Sequence, residues 1–190
     1  MQTSAQSVAG LDLSLRGAGV VILKPDGEMV NARFGYSLSK GTERDVQERN
    51  LFISSKILSL LRKHEVKAVG IENYAFSQAG KKTMLAELTG TIKTQIIMAL
   101  KVFPVVIGTT SIRAFLLPNP TTEQIRKKAP VHRYLESLGY HCDNGDEYDA
   151  LAIAKILNVW INDRSSAFTE QQLNTLDRFD QQIRRTHARR

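Results

Sequence analysis

The sequence predicts an α/β fold in which helices flank a mixed five-stranded sheet, with three antiparallel strands followed by parallel strands. Two observations lead to this prediction. The N-terminal part of the 190-residue chain alternates apolar with small or polar residues and is broken by short turns, as in antiparallel strands. Further along, segments with apolar residues at helical spacing alternate with short β-branched runs. The resulting order β-β-β-α-β-α-β-α is typical of a sheet covered by helices.

Turn and capping residues separate the predicted elements. Residues 16–19 (RGAG) predict the turn of a first hairpin, and residues 25–27 (PDG) predict a second turn. Thr42, ahead of two acidic residues, predicts a helix N-terminus, and Pro130 should kink or split a helical stretch. The predicted strands cover residues 8–15, 20–23, 29–38, 67–72 and 104–107. The predicted helices cover residues 42–64, 82–100, 111–117, 121–139 and 144–161.

We predict one domain over residues 1–163 and a basic C-terminal tail or helix over residues 164–190. The domain shows neither an internal repeat nor a linker, and a hydrophobic content of 42% is enough for a core without disulfides. The tail contains six arginines and three acidic residues. Three roles are open for it: a solvated or frayed helix without function, a basic arm on nucleic-acid backbone, or a helix used in assembly.

Charge and composition restrict the partners and the compartment. A net charge of +7 favours a polyanion such as nucleic acid, although a merely soluble basic protein explains the charge alone equally well. The single cysteine, Cys142, cannot form an intramolecular disulfide, and the N-terminus lacks a secretion signal. The apolar segment 91–109 is interrupted by Lys93, Lys101 and Pro104, which argues against a membrane span. We expect a cytoplasmic protein, or one in a nucleoid, organelle or viral equivalent, that is not secreted.

Two acidic residues fall in or at the end of predicted strands. Asp12 lies between Leu11 and Leu13 in a strand that should be central, and Glu72 ends a buried strand. A buried, unpaired carboxylate costs on the order of several kcal/mol, so a cation or hydrogen-bond donors must compensate for it. Arg16 could pair with Asp12 in a purely structural interpretation, which is the stronger one for either acid taken alone. The ends of strands in open sheets are also where site residues collect.

Two further acidic residues, Asp146 and Asp149, lie three residues apart in the last predicted helix and share one of its faces. A favourable interaction with the helix dipole explains one of them well. It explains poorly a set of four carboxylates from separate segments. A pair of divalent ions needs hard oxygen ligands from several segments, with open positions for water and a scissile phosphate. Together with Asp12 and Glu72, these residues predict a two-metal site that cleaves phosphodiester bonds.

Three motifs resemble the RuvC-type Holliday junction resolvases, and the phage-encoded branch of that family in particular. They are LDLS at 11–14 with GAGV at 17–20, IEN at 71–73, and DEYDALAIA at 146–154. The likeness spans roughly residues 8 to 160 and is weakest between Pro118 and Cys142. It implies a ribonuclease H-like fold in which four residues bind metal and catalyse: Asp12, Glu72, Asp146 and Asp149.

The same resemblance implies the activity and the partners. The protein would be a magnesium-dependent endonuclease that resolves Holliday junctions and other branched DNA in recombination and repair. Paired symmetric nicks would leave 5′ phosphate and 3′ hydroxyl ends. The cofactor would be two Mg²⁺ ions per site, with Mn²⁺ as a substitute. The partners would be a four-way DNA junction and a second copy of the chain, paired through residues 80–100, with neither a membrane nor a nucleotide cofactor.

The sequence departs from the family where DNA would be contacted. The family places an aromatic residue that wedges into the junction shortly after its second acid, and here Tyr74 and Phe76 compete for that role. A Gly- and Lys-rich stretch found in many relatives is replaced by residues 116–120, LLPNP. Candidate phosphate partners are basic residues near these segments: Lys81, Lys82, Arg113, Arg126, Lys127 and Lys128. The histidines show no metal-ligand spacing and are assigned surface or packing roles: His64, His132, His141 and His187.

Three other functions stay open at this point. A related nuclease of the same fold could act on RNA/DNA hybrid or on structured RNA. An actin-like ATPase is suggested by Asp12 and the glycine-containing turn after it, but 190 residues provide only one of the two lobes of that fold. A non-catalytic junction-binding protein would keep the acids for structure alone.

Overall fold

The computed structural model describes residues 5–37, 42–73, 79–163 and 168–187. Five strands form one mixed sheet: β1 (Val8–Ser14), β2 (Gly17–Leu23), β3 (Met29–Gly35), β4 (Ala68–Asn73) and β5 (Val105–Gly108). Their order across the sheet is β3-β2-β1-β4-β5. The first three strands pair antiparallel, whereas β4 joins β1 and β5 joins β4 in parallel. The predicted α/β class and sheet composition are therefore confirmed.

Helices cover both faces of the sheet. They are α1 (Glu43–Lys63), α2 (Ala79–Leu100), α3 (Thr109–Leu116), α4 (Thr122–Arg126), α5 (Ala129–Ser137), α6 (Gly145–Asn162) and α7 (Glu170–His187). One core cluster lies between the sheet and α1 and α2, and a second lies between the sheet and α6 with its neighbouring helices. Because successive strand residues point to opposite faces, Ala9 and Leu11 join the first cluster while Val8 joins the second. Within the described residues, no helix is both long and apolar enough to cross a membrane.

The predicted helix boundaries follow from local chemistry. Thr42 caps α1 in a capping box: its side chain accepts from the Asp45 backbone N–H, and the Asp45 carboxylate accepts from the Thr42 N–H at 2.9 Å. Pro130 occupies the first turn of α5, where a missing N–H costs nothing. The predicted helical stretch 121–139 is consequently split into α4 and α5.

The C-terminal helix α7 packs on α3 and on β5, the edge strand of the sheet. Its residues Leu176 and Phe179 are buried in the core cluster on that side. Gln182 closes the free edge of β5: its Nε2 donates to the Val106 carbonyl at 2.9 Å, and its Oε1 accepts from the Val106 N–H at 3.1 Å. The described part of the tail thus lies against the fold. The domain division at residue 163 and the role of the tail stay predictions.

Gln182→Ala is expected to lower the free energy of unfolding by about 1–3 kcal/mol, because the Val106 peptide group loses both hydrogen bonds. The uncovered edge of β5 should also increase self-association. Chemical denaturation and light scattering measure the two effects. The matched control is Gln181→Ala at an exposed position of the same helix, expected to change stability by less than about 0.5 kcal/mol. Equal stability of the two variants would contradict the assigned role of Gln182.

Candidate metal centre

Three acidic side chains from three elements converge on the α6 side of the sheet. Asp12 lies within β1, Glu72 near the C-terminal end of β4, and Asp149 in the second turn of α6. One carboxylate oxygen from each lies within 4.8 Å of the other two. We call these three residues the acid cluster. β1 and β4 are parallel neighbours, which sets Asp12 and Glu72 side by side, and α6 supplies the third carboxylate.

Glycines in the two central strands let α6 approach closely enough to deliver Asp149. A Cβ atom on Gly10 would lie 2.0 Å from the Ala150 carbonyl oxygen, and one on Gly70 would lie 2.5 Å from Cγ2 of Ile153. Only glycine fits such a contact without moving the helix. Gly10 and Asp12 are two residues apart on β1 and so face the same side of the sheet. The absence of a side chain at Gly10 therefore lets α6 lie close to β1, and Asp149, which directly precedes Ala150, comes close to Asp12.

Another acid on α6, Glu147, is buried and stabilises the start of that helix. It is 3% exposed and accepts hydrogen bonds from Asn31 Nδ2 at 2.7 Å and from the Asp143 N–H at 3.0 Å. Asn144 caps the helix by accepting from the Glu147 N–H at 3.1 Å. These donors satisfy the Glu147 carboxylate. Sequence reasoning missed this role because Asn31 is distant in the chain.

Burial dominates the electrostatics of Asp12. Burial and the neighbouring charge of Glu72 together raise the pKa of Asp12 to about 8, although the charge of Lys128 opposes the shift. No ion pair with Arg16 appears among the described residues, so the structural interpretation of Asp12 lacks its partner. A buried carboxylate beside two others is stabilised as an anion by a cation. The donor set, carboxylates alone from separate segments, is the type that Mg²⁺ and Mn²⁺ prefer. The acid cluster therefore fits a divalent metal ion.

Asp149 is held by two side chains from the start of α5. Lys128 Nζ bonds to Asp149 Oδ2, and His132 Nε2 lies 2.9 Å from Asp149 Oδ1. Burial alone would raise the pKa of Asp149, but the hydrogen bonds from His132 and Lys128 outweigh it and lower the pKa. Burial likewise disfavours the Lys128 ammonium, yet the bond to Asp149 and the charges of Asp12 and Glu72 raise its pKa overall. The Lys128 charge thus compensates all three acids in this structure.

Glu72 is held by a hydroxyl at the start of α3. Thr109 Oγ1 donates to Glu72 Oε1 at 2.7 Å. Glu72 and Gly108 lie at the adjoining ends of paired strands, with Asn73 opposite Gly108, so the residue after β5 is in reach of Glu72. Sequence reasoning did not identify Thr109. The signal available in the sequence was a hydroxyl residue directly after a short strand.

Asp146 lies outside the acid cluster. Its Oδ2 accepts from Arg33 Nε at 3.0 Å, and the two side chains are 33% and 45% exposed. The helix is close at this point too, because a Cβ on Gly19 would lie 2.3 Å from the Asp146 carbonyl oxygen. The four predicted acids thus divide into a converging set of three and one acid paired with β3. Sequence reasoning also missed Arg33. Its ion pair with Asp146 is partly exposed, and ion pairs of this kind contribute little to stability.

The predicted DNA-contacting residues have different surroundings. Tyr74 and Phe76 lie outside the described residues, as do the side chains of Lys81 and Lys82 in the first turn of α2. Arg113 is 9% exposed, and its Nη1 donates to the Ile125 carbonyl at 3.0 Å. Two others are on the surface. Arg126 is exposed, and Lys127 pairs with Glu123 at 2.6 Å.

The raised pKa of Asp12 predicts how the stability of the metal-free protein depends on pH. The pKa of Asp12 in the folded protein exceeds its pKa in the unfolded chain. The contribution of Asp12 to the free energy of unfolding is therefore fully present below pH 3.8 and is lost as the pH rises to about 8. Asp12→Asn removes the charge. Above pH 8 the variant should therefore have a free energy of unfolding higher than that of wild type by on the order of a few kcal/mol, measured by chemical denaturation. The two proteins should converge near pH 4. Parallel stability curves across this range would contradict the assignment.

Comparison with known proteins supports the fold through structure and not through sequence. No protein-family model matches the chain, and no curated protein sequence matches it. RuvC of Thermus thermophilus, solved in complex with a Holliday junction substrate, superposes with a TM-score of 0.63 at 18% identity, covering 81% of this chain and 94% of that one. A second structure of Thermus thermophilus RuvC gives a TM-score of 0.56 at 21% identity, covering 80% and 94%. The yeast mitochondrial Holliday junction resolvase Ydc2 gives 0.46 at 11% identity, covering 98% and 88%.

The two superpositions on Thermus thermophilus RuvC show the class of fold. The chain has the ribonuclease H-like fold of the RuvC-type Holliday junction resolvases, and the predicted resemblance is confirmed at that level. The superposition on RuvC leaves about a fifth of this chain outside it.

Proposed function

We propose that this protein is a metal-dependent endonuclease that resolves branched DNA, with Asp12, Glu72 and Asp149 as metal-binding catalytic residues. The observation that supports the proposal is the convergence of three carboxylates, within 4.8 Å of one another, from three separate elements. A fold needs no such cluster for stability, since carboxylates at this distance either repel one another or force one of them to keep its proton, as the raised pKa of Asp12 indicates. The similarity in fold to a protein solved with a Holliday junction supports DNA as the substrate class.

The acid cluster would hold the metal, with Mg²⁺ the expected ion. When bound, two Mg²⁺ ions lower the pKa of a bound water and stabilise the charge that develops on the leaving oxygen. Asp12, which lies close to both Glu72 and Asp149, would be a metal ligand, and it would lose its proton on binding, because a cation offsets the burial that raises its pKa. Asp146 would join them after releasing Arg33 from their exposed ion pair.

The remaining residues would orient the acids and the DNA. Thr109 fixes one oxygen of Glu72. Lys128, half exposed beside the acid cluster, would bind the phosphate that approaches it. Cleavage would leave a 5′ phosphate and a 3′ hydroxyl. Arg33, once released from Asp146, would bind a neighbouring phosphate of the DNA.

Paired nicks need two sites related by the two-fold symmetry of the junction, so we propose a homodimer that pairs through α2 and its surroundings. The buried side of α2, with Leu88, Ile92 and Ile96, faces the core cluster shared with α1. Large apolar side chains on these two helices stay exposed: Met98 at 69% and Leu51 at 57%. Covering such side chains favours association.

The decisive experiment is incubation of the purified protein with a synthetic four-way junction, with and without Mg²⁺, and mapping of nicks on all four strands. Paired nicks at symmetric positions that require the metal are expected. A linear duplex and an RNA/DNA hybrid duplex of matched length serve as controls. Stronger cutting of the hybrid would favour the related nuclease activity, and tight junction binding without any cutting would favour a non-catalytic binding protein.

A further inference from the structure

Helix α5 contacts both oxygens of Asp149 through two side chains one turn apart. Lys128 precedes the helix and His132 lies four residues later, so both project from the same face. Lys128 Nζ bonds to Oδ2 of Asp149, and His132 Nε2 lies 2.9 Å from Oδ1. The two oxygens therefore have different partners: an ammonium on one and an imidazole ring on the other.

The two oxygens also face different surroundings. Lys128, which is bonded to Oδ2, lines one small cavity together with Glu72 and Asp149. The His132 contact is made with Asp149 through the other oxygen. A cation that entered this cavity would compete with the Lys128 ammonium for Oδ2.

The His132 ring is held in place independently of Asp149. It stacks on the ring of Tyr148, with ring centroids 5.1 Å apart and an interplanar angle of 22°. Tyr148 is itself buried, with 8% of its surface exposed, and precedes Asp149 on α6. Because the carboxylate accepts only, the bond requires Nε2 to be the protonated nitrogen. The ring is thus a fixed donor aimed at one oxygen.

We propose that His132 is a positioning residue: it retains Oδ1 of Asp149 while Oδ2 exchanges its bond to Lys128 for a divalent metal ion. The inference rests on the proposed function, since it assumes that the acid cluster binds metal. A carboxylate with one oxygen fixed presents the other in a single orientation, and partners of this type commonly change metal affinity 10- to 100-fold. Lys128 competes with the ion for the same oxygen, so its removal acts in the opposite direction.

The test is calorimetric titration of the full, metal-free chain with Mn²⁺ in the absence of DNA. His132→Phe keeps a ring for Tyr148 and loses the donor; it should weaken Mn²⁺ binding about 10- to 100-fold. His132→Gln keeps a donor at a similar reach and should bind within about 3-fold of wild type, which separates donation from packing. Lys128→Gln should bind Mn²⁺ at least as tightly as wild type. If the Phe variant fails to fold, His132→Asn, whose amide is too short to reach, takes its place.

Each outcome bears on one claim. Equal affinity of the Phe variant and wild type, or a loss of affinity in the Gln variant as large as in the Phe variant, would overturn the positioning role. Weaker binding by Lys128→Gln would overturn the exchange at Oδ2. Failure of wild type itself to bind Mn²⁺ would instead overturn the proposed function, so the two failures are distinguishable.

Discussion

Asp12→Asn is expected to lower metal-dependent junction cleavage at least about 1,000-fold, equivalent to about 4 kcal/mol of transition-state stabilisation. Asp12 is the most buried of the three acids and lies within 4.8 Å of both others, so its loss removes one of the three converging ligands. An asparagine fits the same space and leaves the fold intact. Junction binding in the absence of metal should stay within a few-fold of wild type.

Single-turnover cleavage and gel-shift binding measure these two quantities. The matched control is Asp177→Asn on α7, an exposed aspartate far along the chain from the acids, which should cleave at the wild-type rate. The metal-free Asp12→Asn protein should at the same time be more stable than wild type above pH 8, because the cost of the buried charge is gone. Wild-type cleavage by a correctly folded Asp12→Asn protein would remove the acid cluster from the mechanism.

Gly10→Ala is expected to have the largest effect on stability, with a loss of about 3 kcal/mol in the free energy of unfolding. The added Cβ would lie 2.0 Å from the Ala150 carbonyl oxygen and 2.6 Å from the Ala154 nitrogen. Both are backbone atoms of α6, so no side chain can rotate away and the helix itself must move. Asp149 lies on that helix, and a displacement of about 1 Å can cost 100-fold in rate. Cleavage should therefore fall together with stability.

Denaturation and cleavage assays on Gly35→Ala provide the control, because a Cβ there would lie 3.5 Å from its nearest neighbour, the Arg16 carbonyl oxygen. This substitution should change stability by less than about 1 kcal/mol. If Gly10→Ala were as stable and as active as Gly35→Ala, the close seating of α6 on β1 would be wrong.

The sequence alone predicts the three residues of the acid cluster. Asp12 and Glu72 stand out because a carboxylate inside or at the end of an apolar strand needs compensation, and both lie in the acid cluster. Asp149 was found by its helical spacing and by resemblance. The same reasoning placed Asp146 with them, whereas the structure pairs it with Arg33. Spacing along a helix shows which residues share a face and does not show which partner that face meets.

The alternation of strands, the helix caps and the break at Pro130 were readable from the sequence alone, because each depends on a few consecutive residues and on their local periodicity. The contacts of His132 with Asp149, Asn31 with Glu147, and Gln182 with β5 were decided only by the tertiary structure. Each joins side chains from elements whose relative register depends on packing across the whole core. A charge or donor finds its partner only after that packing has brought distant elements together.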